Sequence, residues 1–201
     1  MRHRPACSLS PGSPRALPRR SLPLGYAVGV TEERSTVRTA RRPRADYATG
    51  TVTKTLRWIS LGAALAMSVT LLVSYPSLPE TIPIHFNFAG QADGWGPRSA
   101  ILMLVGVFTV LTSAITWLSF RPHVFNYPTE ITEKNAQAVY REGERTLIWA
   151  GAAISLGYVG MGLGSLIDID PGPVIAVSLA GTLAATVVGI VRIVRAAGGR
   201  R

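Results

Sequence analysis

"LRWISLGAALAMSVTLLVSY", residues 56–75, decides the fold. Past Arg57 it holds no charge, and it matches the roughly 20 helical residues that cross a hydrocarbon core of about 30 Å. Three more stretches repeat the pattern at 99–118, 146–167 and 173–194. The second and third carry no charge, and the fourth reaches Arg192 only at its end, where an arginine snorkels. A charge at a span centre would cost about 2.5–3.5 kcal/mol on insertion scales. The composition agrees: 47% of the 201 residues are hydrophobic and 16% charged, against about 25% charged in a soluble domain. The expected fold is an all-α integral membrane protein with four transmembrane helices, both faces of the bilayer being joined by short connections.

Lysine and arginine placement sets the expected orientation. Of the 21 Lys+Arg, twelve lie in residues 1–57 and one, Arg98, lies between the first two spans. Arg121, Lys134, Arg141 and Arg145 lie between spans two and three, and Arg192, Arg195, Arg200 and Arg201 follow or end span four. With both termini cytoplasmic, only Arg98 falls outside. The expected location is the bacterial cytoplasmic membrane, and the lipid bilayer is the first expected partner.

A net charge of +10 also raises nucleic acid as a partner. The basic tail lacks interleaved aromatics and runs straight into the first span, so topology and anionic lipid account for it better. The cluster Arg38, Arg41, Arg42, Arg44, Lys54 and Arg57 is placed to attract headgroups. Cys7 is the single cysteine, so no internal disulfide and no structural zinc site is expected. No cofactor is expected. Residues 1–53 read as a disordered basic tail, rich in Pro, Arg and Ser. No Met lies between Met1 and Met67, which raises a start of the natural chain near "VTKTLRW" at 52–58. Residues 54–145 then form a two-helix domain and 146–201 a second helix pair with a short basic end.

The segment 119–145 begins extended at Tyr127-Pro128. Thr129 or Thr132 then caps a polar helix from Glu133 that runs into span three. Small residues recur four apart in spans three (Ala153, Gly157; Gly160, Gly164) and four (Ala176, Ala180, Ala184; Gly181, Ala185, Gly189). Such spacing brings helices close in lipid, either within one chain or in a homo-oligomer.

The outer segment "IPIHFNFAGQADGWGPRS", 82–99, is the densest polar patch between apolar runs. Ile82, Ile84, Phe86 and Phe88 alternate with Pro83, His85 and Asn87, which predicts a short half-buried strand. Asp93-Gly94 predicts a turn, and Gly90, Gly94 and Gly96 are placed to supply positive φ. Pro97 suits the first turn of span two. The segment thus reads as a short, structured, extracytoplasmic β-hairpin-like loop. Four readings stay open: pure architecture; a ligand surface of His85, Asn87, Gln91, Asp93 and Trp95; a metal site of Glu80, His85 and Asp93; and an acid–base pair of His85 with Asp93 or Glu80.

"LPETIPIHFNFAGQADGWGPRS" resembles the outer loop of a family of small bacterial membrane proteins of unknown function. The match runs through Leu78, Pro79, Ile82, Pro83, His85, Phe86, Asn87, Gly90, Asp93, Gly94 and Gly96. "FNYPTEITEKNAQAVY" at 125–140 resembles the same family's cytoplasmic loop, through Asn126, Tyr127, Pro128, Thr132, Glu133, Asn135 and Tyr140. The family is similar to the immunity protein of the sporulation-delay toxin system (SdpI-like). That protein protects its cell from a membrane-active peptide and signals to a repressor at the membrane, and it has further helices. The resemblance implies no catalytic residue. It points to a non-enzymatic immunity or signalling protein that senses or sequesters a hydrophobic peptide, an envelope ligand or a membrane protein. Pro83, His85, Asn87, Gly90, Asp93, Gly94 and Gly96 are its candidate site. The rival readings are a membrane-embedded metal-dependent or acid–base enzyme using His85 and Asp93, and a small transporter. A transporter places ionisable groups inside its spans, whereas here the polar residues within them are Ser155, Tyr158, Thr182, Thr186 and others of their kind.

Overall fold

A computed structural model describes residues 42–87, 91–167 and 169–199. Four helices dominate: α1 (Thr51–Ser74), α2 (Ala100–Ser119), α3 (Ala136–Leu166) and α4 (Gly172–Ala197). Each is long and apolar enough to cross a membrane. Strands β1 (Thr81–Phe86) and β2 (Ala92–Pro97) pair antiparallel between α1 and α2.

α3 is the central helix, packing against α1, α2 and α4. Glycine makes this possible, because a side chain at these positions would collide with the facing helix. A Cβ on Gly162 would lie 2.5 Å from Met67 Sδ on α1, and one on Gly151 would lie 2.8 Å from Ile115 Cγ2 on α2. Gly157 and Gly160 face Ser178 and Val174 of α4, while Gly189 of α4 faces Thr146. The small-residue spacing of spans three and four therefore serves packing within the chain. Gly151 and Gly162 do the same work outside that spacing. Ala176, Ala180 and Ala184 are exposed instead.

Midway along the bundle, Ser68, Thr109 and Tyr158 form a small polar cluster. Ser68 Oγ lies 2.8 Å from Thr109 Oγ1 and 2.9 Å from Tyr158 Oη. The Tyr158 ring stacks on Phe108 at 4.7 Å between centroids. Ala64, Met67, Leu71, Ile101 and Val105 surround them, so the hydroxyls satisfy one another in an otherwise apolar core.

At the opposite end from the hairpin, the sequence reading needs two corrections. Residues 42–50 do not trail away; they run extended across the start of α3. Arg42 Nη1 donates to Phe125 O at 2.6 Å, and Gln137 Nε2 donates to Arg44 O at 2.9 Å. α1 begins at Thr51, within the stretch read as tail; residues 1–41 lie outside the described ones. The second correction concerns Arg57, read as a headgroup contact. It is 4% exposed and pairs with Glu144, which is 3% exposed. Tyr47 Oη and Thr49 Oγ1 donate to the same carboxylate at 2.7 and 2.8 Å. The Arg57 guanidinium also sits 4.1 Å from the Phe120 ring centroid.

The segment before α3 does not make the expected threonine cap: the helix starts at Ala136 rather than Glu133, its N-cap residue is Asn135, and no side chain caps it by a hydrogen bond. Thr132 O accepts from Ala136 N at 2.9 Å, and Asn135 Oδ1 accepts from Thr132 N at 2.8 Å, closing a turn ahead of the helix.

Candidate functional site

β1 forms where alternation places it, but only part of its apolar face is covered. Ile82 is 3% exposed and joins the core of α1 and α2, whereas Ile84 is 50% exposed. The pairing is irregular around His85, which breaks strict alternation.

The glycines work differently from expectation. Asp93 and Gly94 lie inside β2, not in a turn, and neither Gly94 nor Gly96 has positive φ. Their role is space across the ladder: a Cβ on Gly94 would lie 2.8 Å from His85 Cβ, and one on Gly96 would lie 2.7 Å from Ile84 Cδ1. The reversal instead spans Asn87 to Gln91. Asn87 N donates to Gln91 O at 2.9 Å, and Gln91 N donates to Asn87 Oδ1 at 3.0 Å. Phe88 and Gly90 lie outside the described residues. Pro97 ends β2 opposite Thr81, three residues before α2, so it does not open that helix.

The hairpin brings His85 and Asp93 together. His85 Nδ1 lies 2.5 Å from Asp93 Oδ1, with side chains 71% and 44% exposed. A pair this solvated adds about 0–1 kcal/mol to stability, so its effect is to orient the imidazole. Nδ1, not Nε2, faces the carboxylate.

His85, Asn87 and Asp93 form the polar edge of a cavity of about 480 Å³. Its floor is apolar and comes from far along the chain: Met161 of α3 and Ile175, Ala176 and Leu179 of α4. Beside it lies a mainly apolar recess of about 300 Å³, walled by Ile82 and Pro83 of β1 with Leu104 and Phe108 of α2. Ile84, Phe86 and Met161 border both. The recess is mainly apolar, with Ser165 in its lining, whereas the larger cavity has His85, Asn87 and Asp93 along its edge.

Of the expected ligand surface, Trp95 is not part of this cavity; it stands 62% exposed opposite Pro83. Gln91 closes the reversal with Asn87, Nδ2 of Asn87 donating to Gln91 Oε1 at 3.3 Å. Glu80 contributes its backbone carbonyl to Arg98 N at 2.9 Å. Among the described residues no three His, Cys, Asp or Glu side chains gather as a metal-binding group, so Glu80 does not join His85 and Asp93. Met161, Ile175 and Leu179 were invisible as site residues, because their only sequence signal is that they are apolar and lie in spans.

Residues 62–109 match the family described as a domain of unknown function (DUF1648). That stretch takes in the second half of α1, the hairpin and the first half of α2. An uncharacterized protein of Archaeoglobus fulgidus is 28% identical over 123 residues, covering 54% of this chain and 67% of its own. The similarity thus extends to an archaeal protein. No solved structure matches the chain.

Proposed function

We propose that this chain is a multi-pass membrane protein whose hairpin faces outward and binds an amphipathic ligand such as a membrane-active peptide. The observation that carries this reading is the cavity of about 480 Å³, with His85, Asn87 and Asp93 along one edge and an apolar floor from α3 and α4. An amphiphile would lay its apolar side on Met161, Ile175 and Leu179 and offer its polar side to the hairpin. The distribution of Lys and Arg supports an outward hairpin with both termini cytoplasmic. The loop's resemblance to the sporulation-delay immunity proteins supports a peptide as the ligand and an immunity or sensing role. The Arg57–Glu144 pair lies near the basic helix ends and is closed by Tyr47, Thr49 and Phe120. That position suits a structural clamp better than a station on a transport path.

Two experiments test the reading. In a Cys7→Ser background, a membrane-impermeant maleimide on intact cells labels Gln91→Cys and spares Gln137→Cys; the reverse pattern overturns the orientation. Single His85→Ala, Asn87→Ala and Asp93→Ala variants are then scored for protein level and for survival under membrane-active peptides. Normal level with lost protection supports recognition. Loss of protein in all three points to architecture, and full level with full protection ends the peptide reading.

The contact between His85 and Asp93 beside a cavity also favours a second reading, an acid–base pair. His85→Gln separates the two. A glutamine still forms hydrogen bonds, so binding survives, whereas proton transfer does not.

A further inference from the structure

A second amphipathic groove lies at the basic end of the bundle, between α1 and α4, with α3 as its floor. It encloses about 810 Å³. α3 supplies Arg145, Trp149, Ala152 and Leu156, which recur every three or four residues and so share one face. α4 runs antiparallel beside it and supplies Arg192, Val188, Ala184 and Val177 at the matching spacing. Val52 and Leu56 of α1 form the opposite wall.

The groove is graded from charged to apolar. At its mouth Glu142 lies between two guanidinium groups: Arg145 Nη1 is 3.4 Å from Oε1 and Arg192 Nη1 is 4.0 Å from Oε2. The two arginines are 46% and 51% exposed, and Glu142 is 20% exposed. One carboxylate cannot neutralise both, so the mouth keeps a net positive charge and unused N–H donors. Below it the lining is Trp149 and aliphatic side chains as far as Leu156. From Arg145 to Leu156 the floor runs about 17 Å at 1.5 Å per residue, close to the depth of one leaflet.

We propose that this groove holds one anionic phospholipid, its phosphate on Arg145 and Arg192 and an acyl chain along Trp149, Ala152 and Leu156. The proposal rests on the membrane reading above but not on the hairpin. Arginine is suited to the headgroup because its planar fork binds two phosphate oxygens at once. Trp149 sits one turn below, where an indole bridges headgroup and hydrocarbon. Ala152 and Ala184 line the groove with small side chains, which leaves its apolar part open to an acyl chain.

The test uses the full-length protein, first fractionated from cells and then reconstituted in nanodiscs of phosphatidylglycerol and phosphatidylcholine. Native mass spectrometry after gentle detergent release reads retained lipid. The wild type retains one phosphatidylglycerol per chain in preference to phosphatidylcholine. Arg145→Gln/Arg192→Gln lowers that retention by about thirtyfold, as expected from losing two headgroup charges. Ala184→Phe, whose position is exposed and lines the groove, fills the trough and removes the lipid with both arginines present. Unchanged helix content by circular dichroism in both variants keeps loss of fold from imitating loss of the site. Equal retention of the two lipids overturns the proposal, as does wild-type protein released without lipid. A lipid-free dimer abolished by Ala184→Phe assigns the groove to a second copy and equally overturns it. Recovery of the protein away from membranes refutes the membrane reading itself.

Discussion

Replacing Glu144 by glutamine isolates the charge of the buried pair. The side chain keeps its shape and one acceptor oxygen for Tyr47 while the amide nitrogen replaces the oxygen that takes Thr49, and Arg57, 4% exposed, loses its counter-ion. Breaking a buried pair by removing one partner costs about 3–5 kcal/mol, because the remaining charge is stranded. The Phe120 face, 4.1 Å from the guanidinium, still supports the cation, which places the expected loss near the lower limit, about 3 kcal/mol. The double replacement Arg57→Met/Glu144→Met strands no charge. It gives up the acceptor for Tyr47 and Thr49, at about 1 kcal/mol each, and regains the desolvation cost of two ions. It should therefore lie within about 1 kcal/mol of wild type, with a coupling of about 2 kcal/mol or more across the cycle. Reversible unfolding in mixed micelles, titrated with dodecyl sulfate and followed by circular dichroism, measures wild type, Glu144→Gln, and the cycle of Arg57→Met, Glu144→Met and their double replacement. Glu144→Gln within 0.5 kcal/mol of wild type, or single effects that simply add, would refute the argument; ~0.5 kcal/mol is the usual scatter of additive pairs.

Three further outcomes follow from the same contacts. Burial, then the hydrogen bond to the Glu144 carboxylate, pushes the Tyr47 hydroxyl well above its ordinary value. The unfolded chain therefore loses this proton first. The stabilisation is whole below about pH 10 and falls as pH rises from there toward the folded value; unfolding midpoints against pH should show a shallower alkaline fall in Tyr47→Phe than in wild type. Gly94→Ala forces a Cβ against His85 Cβ, 2.8 Å away, and should cost about 1–3 kcal/mol. Gly96→Ala meets Ile84 Cδ1 at 2.7 Å and Cγ2 at 3.2 Å, on a side chain 50% exposed that has room to turn aside, so its unfolding midpoint should move less; equal effects would contradict the cross-strand account. Tyr158→Phe removes one of the partners of Ser68 but leaves the stack on Phe108, and the same titration should show a loss of about 0.6 kcal/mol, the average for hydrogen bonds between helices in lipid.

The helices were legible because hydrophobic length is a local property. The expected spans at 99–118 and 173–194 differ from α2 and α4 by only a few residues at either end. β1 was legible through its alternation, but its partner was not. Asp93-Gly94 has the composition of a turn, and nothing local distinguishes a turn glycine from one kept small by the residue across a ladder. Gly94 lies opposite His85, and only the register of the strands shows that. The polar edge of the hairpin cavity was found in advance in His85, Asn87 and Asp93. Its floor was not, since Met161 and Leu179 lie at least 68 positions away along the chain.

By itself, the sequence determined that this chain makes four long apolar helices with a structured hairpin between the first two. Hydrophobic period and the paucity of charge act within one segment and need no partner. Tertiary structure alone decided how charges and glycines are used. Arg57 and Glu144 lie 87 positions apart, and each reads singly as an ordinary charge near a span end. Packing α1 against α3 removes both from water and turns them into one buried pair, because a desolvated ion is held only where its partner and donors meet it.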